Sequence, residues 1–348
     1  MNISGIVVQE QKMKHCFIIN PAAGKGKADK VFLPKIIETA KRMEIEYEIH
    51  RTIAPGDAER FVKSRCEKLQ REARGAYRFY ACGGDGTLNE VANGAYGSED
   101  VEIGMIPAGT GNDFPRSFGN LKYFENIELQ VLGTARPVDL IRYEAVMPDL
   151  VSGSMTCADP ECLFDSDHET IVRYGINMFN IGLDCNVVDR ISSFKEHPLI
   201  PGPLAYMLGV GIVLGKKEGV SLEISLDNGE VYDGDIMLIA IGNGSYCGGG
   251  FKGVPKAKTD DGIFDVSIVG NVSRRTFLSL IGKYRKGTHL EDPATKDFIT
   301  YRKCKKITIC PQNTVKLCTD GEISMVGETT FEIIPGGIKF SVPQGCEQ

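Results

Sequence analysis

The sequence has no apolar run long enough to cross a membrane and no pair of cysteines spaced as C-x-x-C. A membrane-spanning helix needs about 20 apolar residues, but the longest candidate, residues 203–214, is shorter and runs into Lys216 and Lys217. The first 14 residues also lack the apolar stretch of a secretory signal peptide. Eleven cysteines without such spacing are typical of reduced, mostly buried thiols. We therefore expect a cytoplasmic protein.

The charge balance gives no general attraction to nucleic acid or to an anionic membrane. The net charge of the 348 residues is -6, so we expect no nucleic-acid partner, and any membrane attraction must be local. One cluster of basic residues could provide it, while an ordinary solvated surface explains the cluster equally well. The cluster comprises Arg274, Arg275, Lys283, Arg285, Lys286, Arg302, Lys303, Lys305 and Lys306.

The order of the predicted elements divides the chain into two domains. Residues 13–137 repeat a unit of strand, loop and helix, which predicts a doubly wound α/β domain with a parallel sheet. Residues 138–343 read mainly as short strands, with helical stretches at 204–214 and 273–284, which predicts a β-sandwich. The glycines at 336 and 337 predict a turn between strands 330–334 and 338–342. The polar, acidic stretch 145–169 predicts a surface insertion, and residues 1–12 show little pattern.

Three glycine-bearing loops follow strands of the first domain, at residues 20–26, 83–87 and 107–113. In an open α/β sheet, ligands bind beyond the carboxyl ends of the strands. Glycines there let backbone N–H groups approach phosphate oxygens. One such loop could be only a tight turn, but three on one sheet edge predict a nucleotide site.

An aspartate stands inside the second of these loops, Gly83-Gly84-Asp85-Gly86-Thr87. A carboxylate beside polyphosphate is repulsive unless a cation intervenes, so Asp85 indicates Mg²⁺ or a role in proton transfer. The alternative is that Asp85 only caps the following helix. The chain contains neither a G-x-x-x-x-G-K-[ST] loop nor the protein-kinase motifs, which excludes those two phosphoryl-transfer scaffolds.

Two acidic turns occur in the second domain, Thr259-Asp260-Asp261-Gly262 and Thr319-Asp320-Gly321-Glu322. Turn chemistry alone explains an Asp-Gly pair. In combination with the loops, however, the order of motifs resembles the diacylglycerol kinase catalytic domain, a family that includes bacterial lipid kinases and sphingosine kinases. The resemblance rests on the motifs at 20–24, 83–91, 109–114, 137–140, 242–250, 256–262 and 320–322.

The resemblance implies an N-terminal nucleotide-binding α/β domain and a C-terminal β-sandwich, with the active site in the cleft between them. It implies ATP and Mg²⁺ as cofactors, Glu322 as the acceptor of the substrate's hydroxyl proton, and Asp85 as a second catalytic acid. Asp261 would bind a structural Mg²⁺ with the backbone carbonyls near Lys258 and Ile263, and Asp85 and Asp139 would face that ion through water. The residues expected to contact ATP are Asn20, Pro21, Ala22, Ala23, Gly24, Thr52, Gly84, Asp85, Gly86, Thr87, Leu88, Asn89, Glu90 and Thr110.

The expected substrate is a membrane lipid with a free hydroxyl, most simply diacylglycerol, which would yield phosphatidic acid. Such a kinase would sit peripherally on the inner face of the membrane. Two alternatives stay open: an NAD kinase, which shares a Gly-Gly-Asp-Gly-Thr loop, and a non-catalytic lipid-binding protein of the same fold. The sequence identifies neither the lipid nor the oligomeric state, and a homodimer is an open option.

Overall fold

The computed structural model describes residues 13–72, 76–148, 169–183, 185 and 219–346. Residues 1–12, most of the expected insertion 145–169 and the expected helix 204–214 therefore lie outside the described residues. Within the described part, no helix is both long enough and apolar enough to span a membrane.

The first domain is built on four parallel strands in the order β2-β1-β3-β4. The strands are β1 (Lys14–Ile19), β2 (Tyr47–Arg51), β3 (Tyr77–Gly83) and β4 (Val101–Pro107). The described helices of this domain are α1 (Ala23–Gly26), α2 (Ala28–Met43), α3 (Asp57–Glu72), α4 (Asp85–Ala95), α5 (Leu121–Phe124) and α6 (Ile127–Val131), and a 3-10 turn spans Phe114–Phe118.

Alternation of apolar side chains along β1 explains why helices cover both faces of this sheet. Phe17 and Ile19 are fully buried in the core that includes Phe32 and Ile36 of α2. Cys16 and Ile18 face the other way, into the core that contains residues of α3 and α4. Successive side chains of a strand point to opposite faces, so an uninterrupted apolar strand requires a cover on each side. The expected doubly wound α/β domain is confirmed.

The second domain is mostly antiparallel β-structure. Its described strands are β5 (Thr134–Val146), β6 (Thr170–Gly175), β7 (Met178–Gly182), β8 (Val220–Leu226), β9 (Val231–Gly242), β10 (Phe264–Gly270), β11 (Ile299–Cys304), β12 (Lys306–Pro311), β13 (Val315–Thr319), β14 (Glu322–Val326) and β15 (Thr329–Val342). Inward-facing side chains of strands from β5 to β15 form one large apolar core, as the expected sandwich requires. A single longer helix, α7 (Arg274–Lys286), packs against β9 and β10 within the described residues.

β15 corrects one expectation from the sequence. Residues 335–337 do not separate two strands: one 14-residue strand runs through them, and its register with β5 shifts between Ile334 and Ile338. Gly336 takes a left-handed φ of 60° and donates its N–H to Asp139 Oδ1 at 2.7 Å. The glycines therefore form a bulge inside a strand, a use of glycine that short-range turn rules do not distinguish from a hairpin.

β15 also joins the two domains. It pairs antiparallel with β12 and β5, and Lys339 and Phe340 pair in parallel with Glu102 and Ile103 of β4. The boundary expected after residue 137 falls inside β5, because β5 and β15 run together from the sandwich to the edge of the first sheet. The described strands thus form one continuous hydrogen-bonded network.

The junction of the domains is held by aromatic packing around Phe340. Its side chain is fully buried, with ring centroids 5.0 Å from Phe114 and 5.1 Å from Phe118. We expect Phe340→Ala to lower the free energy of unfolding by about 3–5 kcal/mol, because it leaves a large cavity. Denaturant unfolding should measure the loss.

Lys339→Ala provides the matched control for Phe340→Ala. Lys339 occupies the adjacent position of the same strand but is exposed, so its replacement should change stability by only about 0.5 kcal/mol. Equal losses in the two variants would contradict the role given to the aromatic cluster.

Candidate active site

The three glycine loops lie at the carboxyl ends of β1, β3 and β4, which are neighbours in the sheet. Asn20 connects the first loop to the second, since its side-chain amide donates to Thr87 Oγ1 at 3.1 Å. Its Oδ1 accepts the N–H of Ala22 at 3.0 Å, which fixes the turn that follows β1. The polar side chain after β1 therefore shapes two loops at once.

The loops approach one another closely at positions occupied by glycine. A Cβ on Gly84 would lie 3.3 Å from the Cα of Gly109, and a Cβ on Gly109 would lie 2.6 Å from the Cα of Gly84. Gly24 has a left-handed φ of 61° and faces the backbone of Ala108. The result is a surface of closely packed backbone, the arrangement that phosphate sites use.

Asp85 fastens the second loop to the third. It is the first residue of α4, and the N-cap position of that helix is Gly84. Instead Oδ2 accepts the N–H of Asn112 and Oδ1 accepts the N–H of Asp113, both at 2.8 Å. The capping alternative considered for Asp85 is thus replaced by a bond between loops.

Asp113 continues this connection into the second domain. Its buried carboxylate accepts the N–H groups of Gly249 and Gly250 at 2.9 and 2.8 Å. Burial, followed by the proximity of Asp113, raises the pKa of Asp85, and burial raises the pKa of Asp113 as well. The backbone N–H groups act in the opposite direction by stabilising the ionised forms. Two neighbouring carboxylates thus link three loops and both domains.

Glu322 comes from the second domain and lies over the start of α4. A Cβ on Gly86 would stand 2.8 Å from Glu322 Oε1, so the absence of a side chain at Gly86 makes room for the carboxylate. Glu322 is the first residue of β14 and is exposed. The structure therefore brings two sequence-predicted residues from opposite domains, Gly86 and Glu322, into contact.

The position of Glu322 is set by its neighbour Asp320. Asp320 is buried and has a left-handed φ of 49°. Oδ1 accepts the N–H groups of Asn177 and Met178 at 3.0 and 2.8 Å, and Oδ2 accepts the N–H of Ile176 at 2.9 Å. Oδ2 also receives the side-chain amide of Asn89 at 2.8 Å, from α4 of the first domain. The turn is consequently anchored on both sides of the cleft.

The surroundings of Glu322 favour its protonated form more than water does. Partial desolvation in the cleft, and then the charge of Glu90, raise the pKa of Glu322, while Arg173 acts in the opposite direction. Arg173 itself forms an ion pair with Glu59. A raised pKa makes a carboxylate a stronger base, which suits the acceptance of a proton.

Several residues expected to contact ATP have side chains engaged elsewhere. Leu88 is fully buried in the apolar core. Asn89 binds Asp320, and Glu90 accepts the N–H groups of Gly56 and Ala58 at 2.8 and 3.0 Å, at the start of α3. Contacts of these three residues with a nucleotide stay predictions.

Other expected nucleotide contacts lie at the rim of the same region. Thr52 donates its backbone N–H to Ile19 at 2.9 Å, so it stands beside the first loop. Thr110 is exposed on the third loop, and its carbonyl would lie 3.8 Å from a Cβ on Gly249. Pro21 and Ala22 form the turn after β1, and Ala23 begins α1.

Asp261, the expected metal ligand, lies at the edge of a group of carboxylates. Its Oδ2 is 3.0 Å from Lys303 Nζ. Asp139 accepts the N–H groups of Gly262 and Gly336, each at 2.7 Å, and the charges of Asp261 and Asp260 raise its pKa in addition to burial. Among the described residues, no group of three or more His, Cys, Asp or Glu side chains is arranged to hold a metal. A site here would combine one carboxylate with backbone carbonyls, hard oxygen donors that suit Mg²⁺.

The sequence motifs assign no individual role to Asp113, Asp320 or Arg173. Asp320 itself has a positive φ of 49°. Asp113 follows Asn112, whose φ is 51°. Aspartate and asparagine tolerate that conformation better than most residues, so the Asn-Asp and Asp-Gly pairs were the available signal. Their bonding partners are far away in sequence and could not be read from it.

Comparison with known proteins agrees with this geometry. Residues 14–143 match the diacylglycerol kinase catalytic domain, and residues 177–342 match the YegS C-terminal NAD kinase beta sandwich-like domain. A diacylglycerol kinase from Bacillus subtilis is 28% identical over 314 residues, covering 89% of this chain and 90% of the relative. One from Staphylococcus carnosus is 29% identical over 307 residues, covering 88% and 87%.

Solved structures show the same fold. The crystal structure of a diacylglycerol kinase from Bacillus anthracis has a TM-score of 0.61 and 21% sequence identity, covering 97% of this chain and 98% of that one. Two domain matches in the expected order, over most of the chain, agree with the loops and the cleft described above. The chain belongs to the diacylglycerol kinase catalytic-domain family and is a lipid kinase.

Proposed function

We propose that this lipid kinase transfers the γ-phosphoryl group of ATP to the free hydroxyl of diacylglycerol, giving phosphatidic acid. The observation that carries the proposal is the contact between Glu322 and Gly86, which sets a carboxylate beside a glycine-rich helix start. Phosphoryl transfer needs mainly positioning and charge neutralisation, together with a group that accepts the hydroxyl proton. Diacylglycerol is favoured as substrate by the names of the relatives from B. subtilis and S. carnosus.

The residues of the chain divide the work between the two domains. The glycine loops and the N-terminus of α4 offer N–H groups to the phosphates, while Asp85 and Asp113 hold the loops in place. Glu322 approaches from the sandwich and would take the proton as the hydroxyl oxygen attacks. Mg²⁺, when bound, would neutralise negative charge at the site. Asp261 and the backbone carbonyls near Lys258 and Ile263 would bind the ion.

A substrate panel separates the proposal from its alternatives. The purified protein would be incubated with labelled ATP and, separately, with diacylglycerol, sphingosine or NAD. Label should enter phosphatidic acid. Label only in NADP would identify an NAD kinase, and label in none of the products would favour a non-catalytic lipid-binding protein.

Replacing Gly84 tests the phosphate loop. A valine side chain there would meet the backbone of Gly109 and spread the loops apart. We expect Gly84→Val to weaken ATP binding at least roughly tenfold, because N–H groups around a phosphate must be placed closely. ATP-dependent protection against thermal unfolding measures the effect.

Gly282→Val serves as the control for Gly84→Val. A Cβ on Gly282 would have nothing within 4 Å, so ATP should protect this variant as well as it protects the wild type. Full protection of Gly84→Val would rule out the assignment of the loop.

Replacing Glu322 tests the proton acceptor. Glu322→Gln keeps the shape of the side chain but removes its basic site, and we expect kcat to fall by ~10²–10⁴-fold, or ~3–5 kcal/mol. Because the pKa of Glu322 is raised, wild-type activity should decline as the pH falls through a value above the usual glutamate range. The residual activity of Glu322→Gln should not show this decline at low pH.

The exposed Glu332 of β15 supplies the control for this substitution. Glu332→Gln should leave kcat and its pH profile unchanged. A nearly normal kcat for Glu322→Gln would remove Glu322 from the mechanism, and a lowered melting temperature with normal kcat would make the turn purely structural.

Removing Asp261 tests the cation site. We expect Asp261→Ala to reduce activity more at limiting than at saturating Mg²⁺, and to reduce the rise in melting temperature that MgCl₂ produces without nucleotide. The fold should survive, because Lys303 keeps Asp265 as a partner at 3.2 Å. Asp260→Ala, the exposed neighbour, is the control, and an unchanged Mg²⁺ response in Asp261→Ala would leave Asp261 a turn residue.

A further inference from the structure

Helix α7 concentrates positive charge on a protein that is acidic overall. Residues 273–288 contain five basic residues and no acidic one, whereas the net charge of the chain is -6. Ser273 caps the helix through a bond from the N–H of Thr276, and Gly287 ends it in a left-handed conformation. The helix is therefore well defined at both ends.

Four of the five basic residues share one exposed face with an apolar side chain. At 100° per residue, these four residues fall within an arc of about 120°. Leu278 lies in this arc with 59% of its surface exposed. The other members of the arc, all exposed, are Arg274, Arg275, Gly282, Arg285 and Lys286.

A neighbouring face of α7 holds the helix on the sandwich by a shallow contact. Phe277, Ile281 and Tyr284 are partly buried against β9 and β10, and no residue of α7 is fully buried. An apolar cavity of about 40 Å³ remains between the helix and these strands. The contact fixes which face points outward without burying the basic residues.

α7 stands beside the cleft. A Cβ on Gly287 would lie 2.7 Å from Lys252, which belongs to the loop that follows β9. Two residues of the same loop, Gly249 and Gly250, donate their N–H groups to Asp113 in the active site. The C-terminal end of α7 therefore lies against the loop that forms one wall of the site.

Three other basic residues of the expected cluster are held in ion pairs. Lys283 pairs with Asp292 at 2.6 Å, and Arg302 pairs with Glu230 at 2.7 Å. Lys303 lies between Asp261 and Asp265. Within the expected basic cluster, Arg274, Arg275, Arg285 and Lys286 are the members that lie together on the outer arc of α7.

We propose that the outer face of α7 docks the enzyme on an anionic lipid surface, with Leu278 entering the interface and the surrounding cations meeting the headgroups. Helices with a basic rim and a central apolar side chain bind such surfaces through both contributions. The inference rests on the proposed function for its purpose, since docking beside the cleft would bring the lipid hydroxyl to Glu322.

The test measures vesicle binding and catalysis separately. The triple variant Arg274→Gln, Arg275→Gln, Lys286→Gln and the wild type would be sedimented with vesicles of phosphatidylcholine alone or mixed with phosphatidylglycerol. We expect the wild type to bind the mixed vesicles and salt to weaken this binding. The triple variant should bind the same vesicles on the order of 100-fold more weakly. Leu278→Gln should also weaken binding, with less dependence on salt.

The matched control removes three exposed lysines from the first domain, as Lys35→Gln, Lys41→Gln and Lys63→Gln. It changes the net charge equally and should bind like the wild type. With diacylglycerol in detergent micelles, the triple variant should keep its kcat, while phosphorylation in anionic vesicles should fall with binding.

Three outcomes would overturn the proposal: equal binding by the triple variant and the wild type, equal loss in the lysine control, or tighter binding of a short DNA duplex than of anionic vesicles. Vesicle binding without kinase activity on any substrate would instead retain the docking face and remove the proposed function. The two failures are thus distinguishable.

Discussion

The buried carboxylate of Asp320 is the contact on which the geometry of the cleft depends. It accepts three consecutive backbone N–H groups at the start of β7 and one side-chain amide from α4, so it holds one segment of the sandwich and one helix of the first domain. Hydrogen bonds to charged groups are stronger than those between neutral groups, and four of them offset part of the cost of burying the charge, although burial still raises the pKa of Asp320. Glu322 follows Asp320 by two residues. The hydrogen bonds that hold Asp320 in place therefore also position Glu322 relative to Gly86.

Asp85, Asp113 and Asp139 use the same physical device at other points. Each accepts two backbone N–H groups from a glycine-containing or neighbouring loop. Such loops have little side-chain packing of their own, and an acceptor with two oxygens can hold two chain segments in a fixed relation. These buried and half-buried carboxylates thus supply the rigidity that apolar side chains supply in the hydrophobic core. A bound cation would compensate the negative charge of these carboxylates.

The sequence predicted those parts of the fold that depend on neighbouring residues. The apolar runs of β1, β3 and β4 and the glycines after them are local patterns, and so the α/β domain and its phosphate-binding edge could be foreseen. The partners of Asp113 and Asp320 could not, because they join segments more than a hundred residues apart. The glycines at 336 and 337 were misassigned for the same reason: whether glycine makes a turn or a bulge is decided by the strands on either side. Side chains of α4 such as Asn89 and Glu90 follow the ligand motif in sequence, but the helix turns them toward internal partners.

The pairing of β15 with β4 has a consequence for how the chain folds during synthesis. Phe340 and Val342 complete the apolar core of the first domain, yet they leave the ribosome long after the strands they cover. Until then the edge of β4 and the rings of Phe114 and Phe118 lack their partner. The N-terminal half therefore cannot finish folding ahead of the C-terminal half, in contrast to the domain-by-domain order common in larger proteins. An exposed strand edge during that interval is a site where a chaperone or another nascent chain could pair.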